Sequence, residues 1–264
     1  MAEFKRTQVV DTKASKNLTP DNLYWKRLDF PVTIKHYGFI NGLDFSPVVP
    51  YNFAVSYSTK VDIYNPDTKR PCAVLTKFKR CAYGGSFRQD GQLFVVGGED
   101  GRVKLFSIKN KLMLRLFKGH ESSVHDAKFL FNRQHIVSFS DDKTVRLWDS
   151  TTEAQLSLLS GHTDYVRCGA AASQSSDLIA SGSYDHTVKF WDLRQAEGQQ
   201  TCMTMNHGCP IEALLMFPND SLLLSAGGTN IKIWDLAAGE WWCMRDRSRD
   251  EQPNAPLQEM YTVT

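Results

Sequence analysis

The segments VRLWD (Val145–Asp149) and VKFWD (Val188–Asp192) decide the fold, because each alternates apolar residues and ends in Trp-Asp. Three further segments share the pattern: VDIYN (Val61–Asn65), VKLFS (Val103–Ser107) and IKIWD (Ile231–Asp235). Their aromatic residues, Tyr64, Phe106, Trp148, Trp191 and Trp234, are spaced 42, 42, 43 and 43 residues apart. A constant period of this length indicates a repeated unit of several strands. The sequence therefore predicts five such units.

The interior of each unit predicts four antiparallel strands. Gly119-His120 and Gly161-His162 each precede an alternating strand, a turn and a second strand, before the segment that ends in Trp. Turn signals stand where hairpins need them, at Asp90-Gly91, Asp100-Gly101 and Asn219-Asp220. No segment has the periodicity of a convincing helix, so we expect an all-β protein.

These motifs resemble the WD-repeat family of β-propellers. In that family a His, a Ser or Thr, an Asp and a Trp form a buried hydrogen-bonded set inside each blade. The resemblance implies two such structural sets in this chain, His120, Ser138, Asp142 and Trp148, followed by His162, Ser181, Asp185 and Trp191. The blade ending at Trp234 departs from the pattern, because His207-Gly208 is inverted and Gly228-Thr229 replaces the aspartate.

The resemblance predicts a propeller of about five four-stranded blades, an incomplete and open ring of a seven-bladed family. We expect an N-terminal extension over residues 1–30, a propeller over 31–243 and a disordered polar tail over 244–264. The blades are predicted at about 39–78, 83–117, 124–159, 166–205 and 211–243. Val32–His36 resembles the strand that completes the last blade of the full ring. The outer faces of the first and last blades should then lie bare.

Ser, His and Asp side chains that converge could also indicate a hydrolase. Two observations disfavour this interpretation: the set recurs from blade to blade, and the chain has no Gly-x-Ser-x-Gly elbow. The six cysteines form no CxxC pair and no Cys/His set at zinc spacing. We therefore predict no catalytic residue, no cofactor, no metal site and no small-molecule substrate.

Charge is balanced over the chain but not along it. The total is 31 Lys and Arg against 29 Asp and Glu, whereas Thr68–Lys118 holds twelve basic residues and three acidic ones. Such a sector suits RNA or an acidic protein surface, although ordinary solvent-facing lysines would give the same pattern. The N-terminal residues lack the apolar stretch of a signal peptide, and we expect an intracellular protein with no membrane partner.

Residues outside the repeat pattern narrow the resemblance to the WD-repeat subunits of the small-subunit processome. They include Leu23-Tyr24-Trp25, Phe87–Gly91 (FRQDG), Asp164–Gly169 (DYVRCG) and Gly182–Lys189 (GSYDHTVK). The resemblance implies a nucleolar scaffold needed for pre-18S ribosomal RNA processing and for optimal RNA polymerase I transcription of ribosomal DNA. It implies other processome WD-repeat proteins as partners, together with pre-ribosomal RNA or the U3 small nucleolar ribonucleoprotein, bound directly or through the complex.

A second interpretation is a substrate receptor of a cullin ubiquitin ligase. Trp191-Asp192-Leu193-Arg194 fits the WDxR signature of such receptors. The signal is weak, because two of its four residues are already set by the repeat.

Partner contacts are predicted at one end of the propeller. In WD propellers the residue at the entry of the first strand and the residue before the turn aspartate point to the top face. The matching partner-binding candidates are Glu99, His125, Asp141, Tyr165, Arg167 and Tyr184.

Overall fold

The computed structural model describes residues 33–195 and 201–236, and the backbone of 240–245. The chain divides into two compact units, Met1–His36 and Tyr37–Thr264, and all the described strands belong to the second. No helix occurs among the described residues. The predicted all-β class is therefore confirmed.

In the described part of the chain, twenty strands form five sheets, and each sheet contains four consecutive strands in antiparallel register. The first sheet has β1 (Ile40–Phe45), β2 (Phe53–Tyr57), β3 (Lys60–Asn65) and β4 (Arg70–Leu75). The second has β5 (Ala82–Phe87), β6 (Leu93–Gly98), β7 (Arg102–Ser107) and β8 (Leu112–Lys118). The third has β9 (Val124–Phe129), β10 (His135–Ser140), β11 (Thr144–Asp149) and β12 (Gln155–Ser160). The fourth has β13 (Val166–Ala171), β14 (Leu178–Ser183), β15 (Thr187–Asp192) and β16 (Thr201–Asn206). The fifth has β17 (Ala213–Met216), β18 (Leu222–Gly227), β19 (Asn230–Asp235) and β20 (Glu240–Arg245).

The tight turn between the second and third strands of a sheet needs one residue with a left-handed backbone. Gly101 supplies it in the second sheet with a φ of 70°, which a glycine adopts without steric cost. Lys143 and His186 occupy the same repeat position with φ of 69° and 70°. A side chain there costs roughly 1 kcal/mol, so the third and fourth sheets keep this turn against local preference.

Successive sheets pack face to face around the inner strands. Four apolar clusters of described residues lie between neighbouring sheets, each built from one face of a sheet and the opposite face of the next. Phe94 and Phe106 in the first cluster, Trp148 in the second and Trp191 in the third are at most 1% exposed, and Trp234 in the fourth is 4% exposed. The inner strands of all five sheets border a cavity of about 270 Å³. The five-bladed propeller arrangement predicted from the repeat is present.

The outer faces of the first and fifth sheets lack the cover that internal sheets have. Phe45 is 61% exposed, whereas Phe87 and Phe129, at the same repeat position, are 7% and 9% exposed. Ile231 is 41% exposed, whereas Val188 at its position is fully buried. Among the described residues, no apolar cluster joins the fifth sheet to the first. These exposures match the open ring expected from five blades.

Val32–His36, the segment that resembles the closing strand of a full ring, is only partly described, and the blade that it would complete is missing from this chain. Residues 33–36 adopt no strand, and Val32 lies outside the described part of the chain. An extended segment becomes a strand only beside a partner that satisfies its backbone groups. Residues 1–30, the predicted extension, also lie outside the described residues, as does the predicted tail from residue 246 onward.

Candidate interaction surface

The third sheet holds the first predicted hydrogen-bonded set. Nδ1 of His120 lies 2.7 Å from Oδ2 of Asp142, and Nε2 lies 2.7 Å from Oγ of Ser138. The indole N–H of Trp148 donates to the same Oγ over 2.8 Å. Burial is the main reason that the pKa of His120 is lowered, so the imidazole is neutral. The Nδ1 proton then faces the carboxylate, and the Ser138 hydroxyl donates to Nε2.

The fourth sheet repeats this geometry with His162, Asp185, Ser181 and Trp191. The two imidazole contacts are again 2.7 Å, and the indole donates to the serine over 2.7 Å. Burial would raise the pKa of Asp185, but hydrogen bonds from Thr187 and His162 lower it to about 2. Ser181 is fully buried and its oxygen accepts the indole proton. A serine enclosed in this way is poorly placed to attack a substrate.

The fifth sheet keeps three members of the set in a different orientation. Nδ1 of His207, in place of Nε2, lies 2.9 Å from Oγ of Ser225, and Trp234 donates to that oxygen over 2.7 Å. Nε2 of His207 lies 3.5 Å from the carbonyl oxygen of Gly227, where the aspartate would stand. The departure expected at His207-Gly208 is therefore a rotated imidazole with a backbone acceptor.

The second sheet replaces the set with apolar residues and retains only its aspartate. Phe78 and Phe106 occupy the histidine and tryptophan positions, and their ring centroids are 5.5 Å apart. Nζ of Lys104 donates to Asp100 over 3.0 Å and lies 4.6 Å from the centre of the Phe78 ring. Lys104, only 3% exposed, thus takes the place of the histidine as the partner of the carboxylate.

Partner-binding candidates from the third and fourth sheets meet in one network. Nε2 of His125 lies 2.8 Å from Asp141, and Nε of Arg167 donates to the same carboxylate over 3.2 Å. The guanidinium of Arg167 lies 4.5 Å from the ring centre of Tyr184 and 5.5 Å from that of Tyr165. This network holds Arg167 against two aromatic rings, and Tyr165 remains 42% exposed.

Two residues that sequence analysis missed extend the network to the second and fifth sheets. Tyr83 stacks on His125 with ring centroids 4.3 Å apart, and the hydroxyl of Tyr184 donates to Glu212 over 2.8 Å. Tyr83 and Glu212 follow the buried residues Ala82 and Ile211, as His125 and Arg167 follow Val124 and Val166. The repeat register that gave His125 and Arg167 could therefore have found them.

Glu99 lies in the same row of turns but does not join this network directly. Its carboxylate accepts the backbone N–H of Cys81 over 3.1 Å, and its backbone N–H donates to the carbonyl of Cys81 over 2.9 Å. We call the whole surface the rim. It consists of Tyr83, Glu99, His125, Asp141, Tyr165, Arg167, Tyr184 and Glu212.

The repeat period, the five sheets and the indole–serine sets agree with one family. The WD domain, G-beta repeat family matches the chain at residues 80–107, 111–149, 153–192 and 199–235, which is more than half of it. The chain belongs to this family. The first sheet lies outside the matched segments, but it has the same four-stranded order as the other WD-repeat sheets.

Curated relatives of this WD-repeat chain have names connected with the U3 small nucleolar RNA. It is 44% identical over 227 residues to the U3 small nucleolar RNA-associated protein 15 homolog of Xenopus tropicalis, covering 86% of this chain and 44% of the relative. It is 44% identical over 240 residues to the homolog of Danio rerio, covering 90% and 46%. It is 38% identical over 223 residues to U3 small nucleolar RNA-associated protein 15 of Schizosaccharomyces pombe, covering 84% and 44%. The chain thus spans less than half the length of these relatives.

The WDxR motif of this WD-repeat chain has a local structural role. Nε and Nη2 of Arg194 donate to the two carboxylate oxygens of Asp192 over 2.9 and 2.7 Å. This bidentate pair stabilises the turn after β15, and it gives the ligase-receptor interpretation no support.

Within the described ranges, His, Cys, Asp and Glu side chains form no group that could hold a metal ion. The same residues contain no helix long and apolar enough to cross a membrane.

Proposed function

We propose that this WD-repeat protein is a non-catalytic scaffold in ribosome biogenesis that acts in the nucleolus as part of the small-subunit processome. Its activity would support pre-18S ribosomal RNA processing and optimal RNA polymerase I transcription of ribosomal DNA. The names of relatives at 38–44% identity support the assignment to ribosome biogenesis. The chain spans less than half the length of those relatives. The role of a whole relative is therefore assigned to this chain only as part of the proposal.

The rim is the observation that carries the scaffold role. It combines three tyrosines, an arginine that packs against two of them and charged groups at its edge, and Tyr165 is 42% exposed. Aromatic residues and arginine dominate the energetics of protein interfaces. Hydrogen bonds and ring stacking hold these side chains in place before a partner arrives, which lowers the entropy cost of binding. The rim therefore suits a protein partner, and other processome WD-repeat proteins are the candidates.

The buried sets support a role without catalysis. Ser138 and Ser181 are fully buried, and each accepts a proton from an indole. A nucleophile needs access to its substrate and a base free to take its proton. The sets instead satisfy polar groups inside the sheets.

The proposal is tested by the location of the tagged chain and by the RNA that copurifies with it. We expect nucleolar fluorescence and enrichment of pre-ribosomal RNA and U3 small nucleolar RNA over a tag-only control. A diffuse cytoplasmic location with no enrichment of either RNA would overturn the assignment to ribosome biogenesis.

A further inference from the structure

Positive charge accumulates at one end of the first and second sheets. Lys77, Lys79 and Arg80 are exposed in the connection between β4 and β5. Lys60 begins β3 at the same end, and Lys118 ends β8 opposite Arg102 in the β7–β8 register. We call these six residues the basic loop cluster: Lys60, Lys77, Lys79, Arg80, Arg102 and Lys118.

Backbone hydrogen bonds hold the β4–β5 connection against both sheets. The N–H of Ala82, the first residue of β5, donates to the carbonyl of Ser58 over 2.7 Å, which joins the end of the connection to the β2–β3 turn of the first sheet. Cys81 exchanges two hydrogen bonds with Glu99, which join it to the β6–β7 turn of the second sheet. The charges of the basic loop cluster are thus held together on ordered backbone.

Nearby carboxylates do not neutralise this cluster. In the described part of the chain, its one ion pair is between Arg80 and Glu99, at 3.7 Å, and the Arg80 side chain is still 67% exposed. Asp100 is paired with Lys104 over 3.0 Å, and Asp62 accepts the hydroxyl proton of Tyr57 over 2.9 Å. The cluster therefore keeps a net positive charge that faces solvent.

The other connections between described sheets lack this charge. Residues 119–123 and 161–165, which lead into β9 and β13, contain Glu121 and Asp164 and no Lys or Arg. The connection into β17, residues 207–212, also has no Lys or Arg. A connection between two sheets can therefore form without basic residues. The basic loop cluster is a feature of the first two sheets and not of every blade.

We propose that the basic loop cluster binds the phosphate backbone of single-stranded RNA. Charged residues are depleted from the cores of protein interfaces, whereas single-stranded RNA sites combine cationic grooves with aromatic rings on which bases stack. Phe39 precedes β1 at this end and is 88% exposed, which supplies such a ring. The rim, in contrast, combines aromatic rings with the carboxylates of Glu99, Asp141 and Glu212. We therefore assign RNA to the basic loop cluster and a protein partner to the rim. The inference rests on the proposed function only for which RNA is bound in cells.

The test measures binding of the full chain to a fluorescein-labelled oligouridine by anisotropy over a series of salt concentrations. Lys77→Gln, Lys79→Gln and Arg80→Gln are combined in one variant. The matched control combines Arg70→Gln, Lys109→Gln and Lys111→Gln, which removes three exposed charges at the opposite end of the same sheets.

We expect the first variant to lose affinity at least about tenfold at low salt, and its plot of log K against log salt to become shallower by about 2. The control should stay within about twofold of the wild type. A Lys77→Gln, Lys79→Gln double variant, which leaves the Arg80 pair intact, should show a smaller loss in the same direction. Unchanged melting curves would establish that the variants fold.

Equal losses in both triple variants, or an unchanged salt slope in the first, would overturn the proposal. If RNA affinity is unchanged while an acidic protein no longer copurifies, the cluster is a protein site instead. Oligouridine contains no precursor sequence, so this result is independent of nucleolar location. If the chain binds RNA through the cluster but is located in the cytoplasm, the proposed function is refuted and the RNA-binding site is still supported.

Discussion

Single side chains determine how well each blade holds its buried polar groups. In the third and fourth sheets one serine oxygen connects a histidine and a tryptophan, and a carboxylate orients the imidazole. Every polar atom of the imidazole and the indole then has a partner, which offsets the cost of burial. Removing one member leaves the others unpaired in a dry site, so the loss exceeds that of a single hydrogen bond.

Trp191→Ala should lower the free energy of unfolding by about 3–5 kcal/mol. The substitution removes a side chain that is 1% exposed and deprives Ser181 of its donor. Trp191→Phe keeps most of the volume and loses only the N–H, so we expect about 1–3 kcal/mol. Denaturant unfolding measures both. If Trp191→Ala unfolds at the wild-type midpoint, Trp191 does not carry the structural role that its contacts imply.

Asp185→Ala should also destabilise the protein, because Nδ1 of His162 loses an acceptor at 2.7 Å in a buried site. We expect a loss of about 1–3 kcal/mol in the same unfolding experiment. Asp67→Ala, a change at an exposed turn, is the control and should fall within about 0.5 kcal/mol of wild type. Equal effects of the two substitutions would argue against the set.

Stability should fall as the pH drops below about 6.5. Burial lowers the pKa of His120 and His162 despite their aspartate partners, so the unfolded chain takes up protons first. The two neutral histidines contribute their full stabilisation above the pKa that histidine has in the unfolded chain. This stabilisation is lost as the pH falls towards their lower pKa in the folded protein. Asp185 has a pKa lowered to about 2, so its own contribution to stability is lost only in a separate and more acidic pH range.

Thermal melting at about pH 7.5 and about pH 5.5 measures this dependence. A His162→Asn variant should lose part of it, since Asn does not titrate. A melting temperature that rises on acidification, or a variant that keeps the full dependence, would contradict the assignment of neutral buried histidines.

At the scale of strands and sheets, the repeat period predicts most of what the structure contains. The five aromatic-ended segments become the third strands of five sheets, because alternation and spacing record which face of each strand is buried.

The rim was predicted only in part. Tyr83 and Glu212 share the register of His125 and Arg167, but their contacts depend on which side chains neighbouring sheets bring into reach. Lys104 was missed for the same reason. It pairs with Asp100 because Phe78 occupies the position where the third, fourth and fifth sheets have a histidine.

The terminal sheets should exchange their amide hydrogens faster than the third sheet. The outer face of the first sheet exposes Phe45, and the fifth sheet exposes Ile231 and has a backbone carbonyl in place of the aspartate. Fewer buried contacts lower the free energy of local opening. Mass-resolved hydrogen exchange should show β1–β4 and β17–β20 exchanging at least about tenfold faster than β9–β12. Uniform protection across all five sheets would show that the terminal sheets are as well covered as the internal ones.

At the scale of the molecule, the two bare faces should make the isolated chain self-associate. Leu43 and Phe45 are 58% and 61% exposed on one face, and contiguous apolar exposure of this kind favours association. We expect elution as an oligomer or aggregate in size-exclusion chromatography. Leu43→Ser with Phe45→Ser should shift the protein towards monomer. A wild-type chain that remains a sharply melting monomer at all concentrations would contradict the open ring.

The central claim is that the chain acts by binding partners through the rim. Quantitative mass spectrometry of proteins copurifying with wild type and with a Tyr165→Ala, Tyr184→Ala variant tests it most directly. We predict that the variant folds, keeps its location and loses most processome proteins, because it removes both rings against which Arg167 packs. A folded variant that retains the wild-type set of partners at wild-type abundance would contradict the account.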